Sequence, residues 1–252
     1  MIEIFILSLI QGITEFLPIS SSSHLILISE YLAFNNQALN IDVSLHIGSF
    51  FAVIVFFRKD IYNFINNKEL LFKIIFSSIP IMLVGFILIR FDLIEQLRNI
   101  KVIGWTTLLF GILLYFSDKV ALEKDIQSNF SFRTAIFIGL LQVLSLIPGV
   151  SRSGITITGA RIFKFKRYDA AKISFLLSIP TLAAVSIFGF NNLIKAGNFE
   201  FSLLMIASII LSYLFSFITI KYFLKYIKNF TLNVFVAYRV ILGSILLLIS
   251  YL

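Results

Sequence analysis

Chemically capable side chains interrupt an apolar run near the start of the chain, in the stretch QGITEFLPISSSSHL (11–25). Gln11 and Glu15 are four residues apart and share one helix face, while Ser21 and His24, three residues apart, share a face of the following helix. A carboxylate can hold a cation or accept a proton, a serine hydroxyl can act as a nucleophile, and an imidazole can act as a general base. The stretch therefore predicts a site for acid–base or nucleophilic chemistry.

A second polar stretch, PGVSRSGITIT, has the composition of an anion site. Its polar side chains are those of Ser151, Arg152, Ser153 and Thr156. The guanidinium of Arg152 is a planar, permanently charged fork that matches phosphate oxygens in pairs. An unpaired arginine in an apolar segment is costly, so a carboxylate or a phosphate is expected beside it. Within the chain the candidate is Glu15, in direct contact or through a bound cation.

Structural roles compete with functional ones for several of the remaining polar residues. Serines in membrane helices often serve only to let helices pack closely, and this alternative stays open for Ser20 and Ser22. The sequence favours a structural role for His46, since Asp42 is the only ionisable residue one turn away. Arg239 lies inside an apolar segment, where it could reach the membrane surface, pair within the protein or bind a headgroup.

The composition sets the frame for these residues. Of the 252 residues 59% are hydrophobic and 13% are charged, with a mean hydropathy of +0.98. Soluble domains carry roughly 25% charged residues, and the apolar runs are continuous rather than alternating as in barrel strands. We therefore predict an all-α polytopic membrane protein that forms a single domain, 1–252. The sequence contains no cysteine, which excludes disulfides and thiolate metal sites, and the +8 charge is spread over loops, so no nucleic-acid partner is expected.

A membrane-spanning helix needs about 20 apolar residues, with a range of roughly 17–25. Six segments approach this length: 43–57, 74–89, 102–117, 173–189, 203–220 and 234–251. Two further apolar regions are each interrupted by a proline, 1–34 at Pro18 and 134–162 at Pro148. The N-terminus MIEIFILSLI lacks the basic region of a cleavable signal peptide and is expected to begin the first helix. Each broken region is predicted to enter the membrane and return to the same side.

The loop charges give a topology, because cytoplasmic loops are enriched in Lys and Arg. Fifteen of the 21 Lys and Arg residues lie in the loops 58–73, 118–133, 161–172 and 221–233. Four lie in the loops 30–42, 90–101 and 190–202. This distribution fits six crossings plus two re-entrant segments, the first entering from outside and the second from the cytoplasm, with both termini outside. The basic run RIFKFKRYDAAK (161–172) is interpreted as cytoplasmic charge of this kind.

The two broken segments also resemble each other. Aligned on their prolines with an offset of 130, LPISSSSH meets IPGVSRSG, which pairs Ser21 with Ser151 and Ser23 with Ser153. Gln11 also corresponds to Gln142 if one gap is allowed. A weaker similarity links SSIPIMLVG with LSIPTLAAV. Similar segments that enter from opposite faces indicate an inverted-topology repeat, in which broken helices meet near the membrane midplane. Proline ends each first helix and the following hydroxyls suit helix N-caps, so two positive helix N-termini should face an anion.

QGITEFLPISSSSH and PGVSRSGITIT resemble the two signature segments of the undecaprenyl-diphosphate phosphatase family, also called the bacitracin-resistance protein family. The resemblance covers nearly the whole chain, including the SIP motifs around Pro80 and Pro180. It implies hydrolysis of undecaprenyl diphosphate to undecaprenyl phosphate and phosphate, at the outer face of the bacterial inner membrane, with Mg²⁺ or Ca²⁺. It also implies a homodimer.

The resemblance assigns roles by residue. The expected catalytic residues are Glu15, Ser21, His24 and Arg152, with Glu15 also binding the metal. The expected substrate-binding residues are Gln11, Ser20, Ser151, Ser153 and Thr156. Ser21 is the expected nucleophile and His24 its base, while a phosphoserine intermediate and direct attack by water both stay open.

The chain departs from the family pattern at two positions. Ser23 stands where the family usually has glycine, and Gln11 replaces a second acid, which puts a two-carboxylate metal site in doubt. Two rival functions stay open as well. One is an inverted-repeat transporter or flippase of an anion or polyprenyl phosphate, and the other is a non-enzymatic assembly factor.

Overall fold

The protein is all-helical in a computed structural model, which describes residues 1–32, 39–64, 68–91, 93–195 and 202–252. The helices within these ranges are α1 Ile2–Thr14, α2 Ser21–Leu32, α3 Leu39–Phe56, α4 Arg58–Phe64, α5 Lys68–Arg90, α6 Leu93–Leu97, α7 Ile100–Asp118, α8 Ile126–Asn129, α9 Phe132–Gln142, α10 Arg152–Ile162, α11 Arg167–Lys195, α12 Leu203–Ile227 and α13 Asn233–Tyr251. A 3₁₀ turn spans Val143–Leu146. The described ranges contain no β-strand, only an isolated bridge between Lys124 and Phe165, so the all-α class is confirmed for these residues.

Five of the described helices are long and apolar enough to cross a membrane: α5, α7, α11, α12 and α13. They coincide with five of the six predicted spans, and the chain is a multi-pass membrane protein. The remaining predicted span, 43–57, coincides with α3, which belongs to the shorter apolar helices over Asn40–Phe56. The sixth crossing therefore stays a prediction.

Both predicted helix breaks are present. α1 ends four residues before Pro18 and α2 begins three residues after it, while α10 begins four residues after Pro148. Immediately before the second helix of each pair, Ser20 and Ser151 have φ angles of 74° and 69°, a conformation that residues other than glycine rarely adopt. Each break is thus a strained, well-defined turn. The last two residues of the first predicted region, 33 and 34, lie outside the described residues.

The second break is fixed against α7. The hydroxyl of Thr106 donates a hydrogen bond to the carbonyl of Pro148 at 2.6 Å. The next residue, Gly149, has a φ of 94°, and a Cβ atom added there would lie 2.9 Å from the carbonyl oxygen of Ile103 and against the Thr106 hydroxyl. Only glycine meets both the dihedral and the close approach, so this turn can sit directly on α7.

The chain consists of two halves with the same order of major helices. The first half has α1, α2, α3, α5 and α7, and the second has α9, α10, α11, α12 and α13. The contacts follow the same scheme, because α1 packs on α12 while α9 packs on α5, and α3 packs on α12 while α11 packs on α5. The first helix of each half therefore packs against the fourth helix of the other half.

The register between the halves differs by one residue from the sequence prediction. The two strained turn residues, Ser20 and Ser151, are 131 positions apart, as are Gln11 and Gln142. The predicted pairing of Ser21 with Ser151, with an offset of 130, is therefore wrong, because the second turn contains one more residue between its proline and its helix. Before the prolines the offset of 131 rests on Gln11 and Gln142, and by that offset Leu146 occupies the position that corresponds to Glu15.

The weaker SIP similarity does not belong to this repeat. Its two copies lie inside the long helices α5 and α11, around Pro80 and Pro180. These helices hold the fourth and third places in their halves, so they are not counterparts.

The interface between α3 and α12 is built from small and hydroxyl-bearing residues. The Ser49 hydroxyl lies 3.2 Å from that of Ser212 and 3.0 Å from that of Ser216. Ser212 donates to the carbonyl of Leu45 at 2.7 Å, and a Cβ on Gly48 would lie 2.9 Å from the backbone nitrogen of Tyr213. Close backbone approach of this kind is typical of packed membrane helices, and it sets the position of α3 beside α1.

Part of the basic run 161–172 is structural rather than a solvated loop. Arg161 is fully buried and donates to backbone carbonyls that include those of Asp118 at 3.2 Å, Val120 and Phe165. Arg167 forms an ion pair with the Asp118 carboxylate at 2.7 Å, and the same carboxylate accepts the backbone N–H of Leu232 at 3.2 Å. This network joins α7, α10, α11 and the start of α13 at one end of the bundle.

Candidate functional site

Four of the predicted site residues meet at the two helix breaks. Arg152 donates from Nη2 to Oε1 of Glu15 at 2.7 Å. The other carboxylate oxygen, Oε2, accepts from the Ser21 hydroxyl at 2.7 Å and from Nε2 of Gln11 at 3.2 Å. The Glu15 carboxylate is thus the common partner of one side chain from its own helix, one from α2 and one from α10.

The direct ion pair between Glu15 and Arg152 follows from where the helices break. Glu15 is the first residue after α1 and Arg152 is the first residue of α10, so both side chains lie at helix ends that face each other. Glu15 is 7% exposed, and a buried arginine or carboxylate needs such a partner. The pairing expected from the sequence is present, in its direct form.

The hydroxyl of Ser21 does not contact His24. Although the two residues lie on one face of α2, Ser21 donates to Glu15, whereas His24 Nδ1 lies 2.6 Å from the Ser20 carbonyl and Nε2 lies 2.5 Å from the hydroxyl of Tyr238. The base in contact with Ser21 is therefore the Glu15 carboxylate rather than the expected imidazole.

The serines at the two turns hold the turns together. Ser151 caps α10 by accepting the N–H of Gly154 at 3.1 Å, as its position after the proline predicts. The hydroxyl of Ser153 donates to the carbonyl of Leu17 at 2.7 Å, which joins the second break to the first. In the first break, the Ser20 hydroxyl lies 3.0 Å from that of Ser23. Ser23, where the family usually has glycine, is thus part of the helix start.

Thr156 lies one turn deeper in α10 and contacts α11. Its hydroxyl donates to that of Ser174 at 2.7 Å and lies 2.8 Å from the carbonyl of Arg152. Thr156 is fully buried. The structure therefore gives Thr156 a packing contact and no hydrogen bond to Glu15 or Ser21.

His46, which the sequence favoured as structural, borders the site. Nε2 of Gln11 donates to Nδ1 of His46 at 3.1 Å, and the same amide nitrogen bonds Glu15. The neighbours of His46 along its own helix do not indicate this contact, because Gln11 lies on α1. An ionisable residue in an apolar helix is itself a signal for function, and that signal would have marked His46.

Arg239, whose role the sequence left open, joins the two breaks from behind. It is 0% exposed, and its guanidinium donates to the carbonyls of Pro18 at 3.2 Å, Gly149 at 2.9 Å and Val150 at 3.1 Å. Its Nε donates to the carbonyl of Thr107 on α7 at 3.2 Å. Arg239 is thus neither a surface residue nor a headgroup ligand, and it crosslinks both turns to α7 through backbone carbonyls.

The charges around the site favour an anion with more than one negative charge. Arg152 and Arg239 both lie at the breaks, and the N-termini of α2 and α10 add their positive dipole ends. Among the described residues Arg152 pairs with the Glu15 carboxylate, whereas Arg239 donates to backbone carbonyls. A diphosphate group, which carries several negative charges, suits this balance.

The oxygens near Glu15 fit a hard divalent cation only in part. Mg²⁺ and Ca²⁺ prefer oxygen ligands, and the Glu15 carboxylate, the Ser21 hydroxyl and Oε1 of Gln11 supply them. Oε1 of Gln11 is buried and has no hydrogen-bond partner in the structure, as expected for an atom that is free to bind a ligand. However, no cluster of three His, Cys, Asp or Glu side chains occurs in the described part of the chain. A cation held here would need oxygens from the diphosphate as well.

Comparison with known proteins gives one family and a set of similar sequences. The model of the family described as bacitracin resistance protein BacA matches residues 4–245. The chain is 51% identical over 251 residues to a protein from Pelagibacter ubique (strain HTCC1062) named undecaprenyl-diphosphatase, covering 99% of this chain and 98% of that protein. It is 42% identical over 250 residues to one of the same name from Saccharophagus degradans, covering 94% of each, and 38% identical over 261 residues to one from Jannaschia sp. (strain CCS1), covering 98% of each.

Proposed function

The chain belongs to the bacitracin resistance protein BacA family, and on that premise we propose that it hydrolyses undecaprenyl diphosphate to undecaprenyl phosphate and inorganic phosphate. The reaction would regenerate the lipid carrier used in cell-wall synthesis. The observation that carries this proposal is the buried contact of Glu15 with both Arg152 and Ser21, where two helix N-termini meet. It combines a phosphate-binding cation, a nucleophilic hydroxyl and a proton acceptor within hydrogen-bond distance.

The proposed membrane topology has α3 as a sixth crossing and both broken segments as re-entrant hairpins in one domain, 1–252. The equivalent order and packing of the helices in the two halves supports a repeat, and the loop charges support its inversion. In this arrangement the first break is entered from outside the bacterial inner membrane and the second from the cytoplasm, so that the site opens outward. The homodimer implied by the family resemblance stays a prediction.

Substrate binding is expected to redirect Arg152. In the structure its Nη2 bonds Glu15, and its other terminal nitrogen makes a long 3.5 Å contact with the carbonyl of Ser174. A phosphate that enters between α2 and α10 can accept from both terminal nitrogens of the Arg152 guanidinium, whereas Glu15 accepts from only one. The isoprenyl tail would remain in lipid between the helices, since it is entirely apolar.

In the first chemical step Ser21 Oγ forms a bond to the terminal phosphorus while the bond from that phosphorus to the bridging oxygen breaks. The hydroxyl proton passes to Glu15, with which it already forms a hydrogen bond, and undecaprenyl phosphate leaves. Once protonated, Glu15 is a weaker partner for Arg152, so the guanidinium is released to stabilise the charge on the phosphates. Electrostatic stabilisation of this kind is the main requirement of phosphoryl transfer.

In the second step water attacks the phosphoserine, phosphate leaves, and Ser21 regains its proton from Glu15. His24 is available to take the proton of the water, because its hydrogen bonds do not involve Ser21. Glu15 and His24 thus act as bases in different steps, whereas His24 was expected from the sequence to serve in either role. A divalent cation bound by Glu15, Gln11 and Ser21 together with the diphosphate would neutralise further phosphate charge.

The test is phosphate release from undecaprenyl diphosphate by the purified protein in detergent. The wild type should release phosphate, and Ser21→Ala should lose roughly 10²-fold or more of the turnover, because the nucleophile is gone. Ser22→Ala is the matched control, since Ser22 is an exposed neighbour on the same helix. A wild type that releases no phosphate would favour the transporter, and a fully active Ser21→Ala would favour direct attack by water.

The same assay with a chelator tests the cation. Loss of phosphate release, restored by excess Mg²⁺ or Ca²⁺, is the expected result. Unchanged turnover in the chelator would rule the cation out and leave the arginines and helix N-termini as the only positive groups.

A further inference from the structure

His24 can take up a proton at only one of its two nitrogens. Nδ1 lies 2.6 Å from the carbonyl oxygen of Ser20, and a carbonyl oxygen can only accept a hydrogen bond. In the neutral imidazole Nδ1 must therefore carry the hydrogen, which leaves the lone pair on Nε2. Any proton that His24 accepts during the reaction must arrive at Nε2.

The residue that meets Nε2 comes from the far end of the chain. The hydroxyl of Tyr238, on α13, lies 2.5 Å from Nε2 of His24 and donates to it. The phenol ring also stacks on the imidazole, with centroids 5.7 Å apart and an interplanar angle of 13°. Tyr238 thus fixes the imidazole in two ways, by the plane of its ring and by the direction of its hydroxyl.

Tyr238 is itself held in place by its neighbour in the sequence. Arg239 follows it directly and is fully buried against the carbonyls of both breaks. The backbone of α13 is therefore fixed relative to the turn that contains Ser20 and leads into α2, the helix of His24. Tyr238 remains 41% exposed, so no packing requirement explains why its hydroxyl points at His24.

We propose that Tyr238 is a positioning residue for the reaction, which acts through His24. It supports the Nδ1–H tautomer and holds the plane of the imidazole, so that the lone pair of Nε2 points in one direction. The attacking water passes its proton to Nε2 when it takes the place of the Tyr238 hydroxyl on that lone pair. This inference rests on the proposed function for its kinetic consequence. The contact itself does not depend on that function.

The kinetic test compares Tyr238→Phe with the wild type in the phosphate-release assay. The phenylalanine keeps the stacked ring and loses only the hydroxyl, so kcat should fall about threefold to tenfold, as expected for one lost hydrogen bond. KM should not change, because the hydroxyl of Tyr238 bonds His24 and not the phosphate-binding Arg152. Tyr222→Phe, at an exposed tyrosine on α12, is the control and should match the wild type.

A double-mutant cycle separates action through His24 from a general structural effect. In a His24→Ala background, Tyr238→Phe should cause no further loss of kcat, since residues that act as one unit are not additive. Equal losses in both backgrounds, or an unchanged or increased kcat in Tyr238→Phe alone, would overturn the proposal.

The second readout needs no turnover. His24 and His46 are the only histidines in the chain, so ¹⁵N-histidine NMR in detergent gives four ring-nitrogen signals, and His46→Gln assigns those of His24. The expected tautomer has Nδ1 protonated, and Tyr238→Phe should shift the Nε2 signal while Tyr222→Phe leaves it unchanged. Protonation of Nε2 instead, or an Nε2 signal that Tyr238→Phe does not move, would refute the contact even if the wild type proved inactive on the diphosphate.

Discussion

Replacing Arg239 by methionine should destabilise the protein and disable the site together. Methionine is apolar and unbranched like the arginine stem, but it donates no hydrogen bonds. The three break carbonyls that Arg239 now bonds, those of Pro18, Gly149 and Val150, would lose that partner.

The size of the effect follows from these three acceptors. An unsatisfied buried polar group costs about 1–3 kcal/mol, so three carbonyls give at least about 3 kcal/mol. Removing the buried charge of Arg239 also saves its desolvation cost, which offsets part of this loss. We therefore expect the free energy of unfolding to fall by roughly 3 kcal/mol, the low end of the range for three carbonyls. At about 2–4 °C per kcal/mol for a chain of 150–250 residues, the unfolding temperature should fall by about 6–12 °C.

The assay is thermal unfolding in detergent, followed by phosphate release at a temperature where the variant is still folded. We expect turnover to fall by more than tenfold in the folded variant, because the two helix N-termini lose the shared contact with Arg239 that fixes their relative position. Arg133→Met is the matched control, since Arg133 is exposed at the start of α9, and it should leave both quantities unchanged.

A second variant perturbs the same contact without removing the charge. A Cβ on Gly154 would lie 2.8 Å from Nη1 of Arg239, so Gly154→Ala should push the guanidinium off the break carbonyls and reduce turnover as well. An Arg239→Met protein that unfolds within about 2 °C of the wild type and keeps full turnover would show that the reasoning from these carbonyls is wrong.

Three further outcomes are expected from single changes at the site. Glu15→Gln should reduce phosphate release by roughly 10²-fold or more, because the amide cannot take the proton. Its free energy of unfolding should also fall by about 3–5 kcal/mol, because Arg152 loses its partner. A variant that is as stable and as active as the wild type would contradict both roles. Ser151→Ala should lower the free energy of unfolding by about 1 kcal/mol through loss of the helix cap. Ser151→Gly should lower it by less, because glycine adopts the positive φ without strain. If denaturant titration showed the glycine variant to be the less stable of the two, strain at this turn would be refuted. His46→Phe should lower kcat, since Gln11 loses an acceptor, and unaltered kinetics would return His46 to a purely structural role.

The positions of the helix breaks and the pair Glu15–Arg152 could be predicted from the sequence. A proline followed by hydroxyl residues stops one helix and starts another whatever the rest of the fold does. An arginine in an apolar segment needs a partner, and few acidic residues lie in apolar segments. The first feature depends on local backbone chemistry, and the second on the small number of acidic residues in apolar segments. Both can be read from a single sequence.

The partners of individual side chains could not be predicted in this way. Helical spacing placed Ser21 and His24 on one face, but the rotamer that each adopts depends on groups from elsewhere in the chain. Ser21 turns to Glu15 across the break, and His24 turns to Tyr238, which lies 214 residues away in the sequence. The register of the repeat was missed for a related reason, since a proline alignment does not reveal one extra residue in a turn.

Leu146 makes the two halves of the fold chemically unequal. If both halves carried an acid beside their break, the fold would hold two equivalent proton acceptors, one at each break. With leucine in the second half, the amide of Gln142 is buried without a hydrogen-bond partner in the structure, and only the first half has a proton acceptor at its break. One residue thus makes a nearly symmetric scaffold unequal in its chemistry, with a carboxylate beside Ser21 and an apolar side chain at the matching position of the second half.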